Sequence, residues 1–164
     1  MCKKYINSNV HCFNAVNSNI LGGIGFAPIL SSVNAKNKDG TFIIGGFDIV
    51  VFLNIRGTKD GNNSQNPVDA GKKLYFKVRL TKLDGALDNQ LSYDIKDFEI
   101  DLAKEKKHES CFKYVESIKV IHVDEIVLNE MGSYTIKVLV KESEDPEELY
   151  DVQMTHNLYV KFKS

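Results

Sequence analysis

Carboxylates are the most abundant reactive groups in this sequence. Asp94, Asp97, Glu99 and Asp101 fall close together, and a second run of acids extends from Glu142 to Asp151. Two carboxyls held about 5–9.5 Å apart across a cleft are the equipment of a glycosidase, so a hydrolase using strand-face carboxylates is one reading. Asp97, Glu99 and Asp101 alternate with Phe98, Ile100 and Leu102, which is the pattern of a solvated strand face backed by an apolar one. The second run lacks the Asp-x-Asp-x-Asp-Gly spacing of a calcium loop and reads as a solvated connection.

Histidine and cysteine offer two further chemistries. His11-Cys12 with Cys2, and His108 with Cys111, hold the residue types of a zinc site without Cys-x-x-Cys spacing. The three cysteines form no disulfide framework and read as reduced thiols. His122 sits among Ile121 and Val123, and His156 near the C-terminus; no Gly-x-Ser-x-Gly elbow accompanies either. Both read as structural or surface histidines. Gly22-Gly23-Ile24-Gly25 lacks the Gly-Lys-Ser/Thr ending of a P-loop and the spacing of a dinucleotide fingerprint, so it reads as a connector. No catalytic residue, metal or cofactor is expected. Tyr75, Tyr93 and Tyr159 remain as interaction residues, because tyrosine joins an apolar ring to a polar tip.

The elements that would position these groups are strands. Leu74, Phe76, Val78 and Leu80 alternate with Tyr75, Lys77, Arg79 and Thr81, a half-buried strand. Ile49 to Ile55 is nearly continuously apolar and β-branched, as at the centre of a sheet. Leu91–Ile95 and Phe98–Leu102 read as two further strands, with Asp84-Gly85 as a turn before them. Residues 109–118 fit helix or strand; the β-branched Ile118, Val120, Ile121 and Val123 favour strand from about Ser117 onward. Tyr134, Ile136, Val138 and Val140 share one face of another strand, and Val152 to Phe162 forms the last, a candidate edge for pairing with a partner. Gly57 to Gly71 reads as an exposed loop, and residues 1–40 as a loosely patterned Asn/Gly-rich region. Helical periodicity is weak throughout.

Composition agrees with a globular chain: 164 residues, 43% hydrophobic and 26% charged. Residues 1–66 carry a net charge of +3 and residues 67–164 a net charge of −4. Neither supplies the basic excess that duplex binding requires, so no nucleic-acid partner is expected. The basic N-terminus has no apolar core behind it, and Ile20–Leu30 is too short and too glycine-rich to span a bilayer. A cytoplasmic protein with no membrane partner is the expectation.

Glu130-Met131-Gly132-Ser133-Tyr134 resembles the corner before the F strand of immunoglobulin-like sandwiches. Gly132 supplies φ > 0 at the turn, and Tyr134 buries its ring while its hydroxyl bonds to upstream backbone. Ile136 stands where a disulfide-bearing domain has cysteine, and the chain has no tryptophan. The resemblance covers the Ile118–Lys141 strand pair. It implies a disulfide-free sandwich similar to bacterial domains of unknown function, with Gly132 and Tyr134 as its structural corner. The expectation is a single all-β domain over 1–164, an immunoglobulin-like sandwich of about seven to nine strands. Its expected role is a non-catalytic interaction or assembly module, binding another protein or itself. A carbohydrate or small-ligand domain, the hydrolase above, and a phage or other structural component stand as alternatives.

Overall fold

The computed structural model describes residues 6–13, 30–56, 73–83, 91–102, 104 and 114–162. Among them the chain is all-β, with ten strands and no helix. These are β1 (Ile6–Phe13), β2 (Ser32–Lys38), β3 (Thr41–Ile44), β4 (Phe47–Arg56) and β5 (Lys73–Lys82). The chain continues with β6 (Ser92–Asp101), β7 (Tyr114–Val123), β8 (Ile126–Leu128), β9 (Gly132–Lys141) and β10 (Asp151–Phe162). A three-stranded sheet has the order β1-β4-β7, and a seven-stranded sheet the order β6-β5-β9-β10-β2-β3-β8. Every pairing is antiparallel except that of β10 with β2.

Side-chain alternation decides which face of each sheet turns inward. Ile49, Val51, Leu53 and Ile55 of β4 and Ile121 and Val123 of β7 turn inward from the small sheet. Leu74, Phe76, Val78 and Leu80 of β5 meet them from the large sheet, with Tyr134, Ile136, Val138 and Val140 of β9, and all belong to one buried cluster. Burying each such side chain contributes roughly 1.5–3 kcal/mol against chain entropy. Phe76 stacks on Phe98 of β6 with ring centroids 5.0 Å apart and planes 7° from parallel, which closes the core toward the β6 edge.

Several sequence expectations change here. The two strands expected over 91–95 and 98–102 merge into one continuous strand, β6 (Ser92–Asp101), which leaves out Leu91 and Leu102 and whose register slips opposite Val78/Arg79. That bulge absorbs the break in alternation that separated them. The N-terminal region holds β1, β2 and β3. β2 and β3 are joined by Asp39-Gly40, both at positive φ (52° and 82°), the requirement of a tight two-residue hairpin turn. Strand β7 starts at Tyr114, because all ten of its residues find partners on β4. β10 pairs with β9 from Asp151 to Val160 and with β2 over Tyr159–Phe162, so the expected edge is covered on its second side only at its C-terminal end. The Gly22–Gly25 cluster, the Gly57–Gly71 loop, Asp84-Gly85 and residues 109–113 lie outside the described residues.

Three sheet edges, those of β6, β7 and β8, are guarded. β6 is bulged and charged, and β8 is only three residues long. On β7, Lys119 lies opposite Val51 on the inward face and is half-buried. Bulges, short strands and inward-pointing charges all discourage edge-to-edge pairing.

Candidate functional site

The connection from β9 to β10, residues 142–150, is closed by its own carboxylates. Glu148 folds back so that Oε1 accepts the Glu142 N–H at 3.3 Å and Oε2 the Ser143 N–H at 2.9 Å. Ser143 Oγ accepts the Asp145 N–H at 3.1 Å, and Asp145 Oδ1 accepts the Glu147 N–H at 2.9 Å. These are side-chain turns of the kind Ser and Asp favour. The hydrogen bond from Ser143, with those from the Glu142 and Ser143 backbone, holds the Glu148 carboxyl below its usual range.

The same connection is fastened to the outer face of the large sheet. The Tyr75 hydroxyl on β5 donates to Glu144 Oε1 at 2.8 Å, which raises the Tyr75 phenol above its usual range. Lys141 Nζ donates to the Asp145 carbonyl at 3.0 Å. The Tyr150 ring lies 5.4 Å from the Lys77 ammonium and 5.1 Å from that of Lys141, within cation–π range. Between these fastenings Leu149 is 87% exposed, a leucine displayed on a hydrogen-bonded acidic turn.

Under the connection lies a cleft of about 340 Å³ lined by Tyr75, Phe98, Tyr150, Asp97, Glu99 and Glu144, with Phe76 and Lys141 completing it. Asp97 and Glu99 belong to the charged outer face of β6, and Glu144 to the connection itself. Lys73 reaches Glu99 at 3.0 Å and Lys77 reaches Asp97 at 3.8 Å. Arg79 holds Asp94 through Nε at 2.5 Å and Nη2 at 3.2 Å. That fork lowers the Asp94 carboxyl below its usual range.

A second cluster sits where β4 and β7 begin and end. Asp48, buried, meets His122 Nδ1 at 2.6 Å, and exposed Asp124 meets Nε2 at 3.1 Å. The hydrogen bond with Asp48 raises the imidazole above its usual range. Gly45 makes this possible: a Cβ there would stand 1.9 Å from the Asp124 carbonyl, so only glycine lets the two chains approach this closely. A shallow cleft of about 470 Å³ runs past His122, Asp124 and Tyr93. His156 is a structural histidine whose Nε2 lies 2.8 Å from the Leu30 carbonyl.

Of the tyrosines singled out in the sequence, only Tyr75 belongs to the β9–β10 site. Tyr93 shares the inward face with Leu80, and its hydroxyl accepts the Asn129 N–H at 3.1 Å. Tyr159 is exposed on the outer face, opposite Ser133, at the far end of β9 from Tyr75. Gly132 has φ 125°, and the buried Tyr134 donates its hydroxyl to the Glu130 carbonyl at 2.5 Å; burial pushes that phenol far above its usual range. Cys2, His108 and Cys111 lie outside the described residues, as do the side chains of His11 and Cys12. Among the described residues no group of His, Cys, Asp and Glu is arranged to hold a metal ion. Leu149 was not singled out by the sequence: its only local signal is an apolar residue standing alone in an acidic run.

The chain matches no family model, no curated protein and no solved structure.

Proposed function

We propose that the chain is an immunoglobulin-like sandwich acting as a non-catalytic protein-interaction module, and that it docks through the β9–β10 connection. The strand order supports the fold. β1, β4 and β7 correspond to strands A, B and E of such a sandwich, β5, β9 and β10 to C, F and G, and β6 to the extra strand beside C in variable-type domains. The Tyr134–Glu130 bond falls at the start of the F equivalent, as a tyrosine corner requires. The β9–β10 connection is then the F–G loop, which together with neighbouring loops carries recognition in variable-type domains.

One observation carries the functional reading: Leu149 is 87% exposed on a turn held in shape by Glu148, Ser143 and Asp145. A rigid loop that presents an apolar side chain loses little entropy on docking. Its partner is a protein with an apolar pocket rimmed by basic side chains, matching Glu144, Asp145 and Glu147. The Arg79 fork lowers the Asp94 carboxyl below its usual range, whereas a glycosidase needs one carboxyl held protonated. A photo-reactive leucine analogue placed at 149 tests the proposal. A single cross-linked protein partner is expected there and none with the analogue at exposed Leu83; equal labelling at both positions overturns it.

A further inference from the structure

We propose that His122 is a proton-operated latch on the corner where the chain passes twice between the two sheets. β3 leads into β4 through Gly45-Gly46, and β7 leads into β8 through Asp124-Glu125. The ladders on either side are in step: Phe47 lies opposite Val123 in the small sheet and Ile44 opposite Ile126 in the large one. Between them the two crossings touch. The Gly46 N–H donates to the Val123 carbonyl at 2.8 Å, and Gly45 passes so near the Asp124 carbonyl that a Cβ would collide with it. The corner is therefore a bent, paired ribbon. Beyond it β8 runs for only three residues at the edge of the large sheet, so the corner decides how firmly that edge is held.

Each ring nitrogen of His122 faces a carboxylate. Nδ1 lies 2.6 Å from Asp48 Oδ1 on β4, and Nε2 lies 3.1 Å from Asp124 Oδ1 on the corner. Carboxylates only accept, and a neutral imidazole has a single N–H, so only the imidazolium serves both. The two partners are unequal: 6% of the Asp48 side chain is exposed and 90% of that of Asp124. Water replaces a donor withdrawn from Asp124 but not one withdrawn from Asp48. Loss of the proton thus keeps Nδ1–H on Asp48, turns the Nε2 lone pair toward Asp124 and releases the corner. Asp94 and Lys96 of β6 and Glu125 line the cleft beside the ring, and Asp94 is engaged by Arg79. On β1, His11 stands opposite Val50, two residues along β4 from Asp48. The hydrogen bond with Asp48, joined by the charge of Asp124, raises the ring above its usual range, so release lies above pH 6.5.

NMR of the full chain across the His122 titration tests the latch, with imidazole nitrogen shifts reporting the tautomer and backbone order parameters reporting the corner. His11 titrates as a separate resonance. The neutral ring is expected to carry its proton on Nδ1. The order parameters of Asp124 and Glu125 are expected to fall from about 0.85 toward about 0.6 as the ring loses its charge, while those of β5 and β9 stay constant. Asp124→Asn supplies an amide that accepts from the charged ring and donates to the neutral one, so in that variant the corner stays ordered on both sides of the titration. A neutral ring protonated on Nε2, a wild-type corner equally ordered at both ends of the titration, or the same loss of order in Asp124→Asn overturns the proposal.

Discussion

The Tyr75 hydroxyl donates to the Glu144 carboxylate at 2.8 Å, bridging 69 residues of sequence. This bond fastens the β9–β10 connection to β5, so the displayed Leu149 rides on the large sheet rather than on a loose loop. Tyr75→Phe removes the donor and keeps the ring. We expect faster amide exchange across residues 142–150 with Tm nearly unchanged, because the bond is solvent-facing. Exchange rates equal to wild type would mean that the connection is held without the Tyr75 bond, by Glu148, Lys141 and the turns at Ser143 and Asp145.

Tyr134→Phe takes the hydroxyl from the Glu130 carbonyl at the start of β9. The ring stays buried, so the loss is that of one hydrogen bond, about 1–2 kcal/mol. Urea denaturation measures it directly. A change below about 0.3 kcal/mol, well under a typical hydrogen-bond contribution, would show that the corner adds nothing to stability.

His122 links stability to pH. Asp48 raises its folded pKa above the ordinary 6.5. The folded state therefore binds the proton more tightly than the unfolded state. This contribution is fully present below pH 6.5 and is lost as pH rises through the higher folded value. Thermal melts across that window should show Tm falling for wild type relative to His122→Gln, the variant curve being flatter. Parallel curves would remove His122 from the account.

Lys119 guards the β7 edge by placing a charge on the inward face opposite Val51. Beside it on the outer face, Ile118 and Val120 are 46% and 48% exposed, so the middle of the strand presents apolar surface. Lys119→Val is expected to self-associate in sedimentation velocity at concentrations where wild type sediments as one lighter species. An unchanged sedimentation coefficient would assign the guarding role elsewhere.

Strands with strong local patterns were legible in the sequence. β5 alternates, β4 is nearly continuously apolar from Ile49 to Ile55 at the centre of its sheet, and β9 places four apolar residues on one face. β1 was not legible, since Asn7, Ser8 and Asn9 disfavour strand; it forms because all eight of its residues pair with β4. The β2–β3 hairpin did leave a signal, the Asp39-Gly40 dipeptide between two short strand-like runs. Asp48 and His122 stand 74 residues apart, and only the register of β4 on β7 brings them together. Leu149 is apolar and its neighbours are acidic, yet its exposure follows from where Glu148, Tyr75 and Lys141 pin the turn.

The most direct test compares capture from source lysate by wild type, Leu149→Ser and Leu83→Ser, read by quantitative mass spectrometry. The account predicts one stoichiometric protein with wild type and Leu83→Ser that is lost with Leu149→Ser, all three baits having the same Tm. Equal capture by all three, or no protein enriched by wild type, would contradict the claim that this connection is the docking surface.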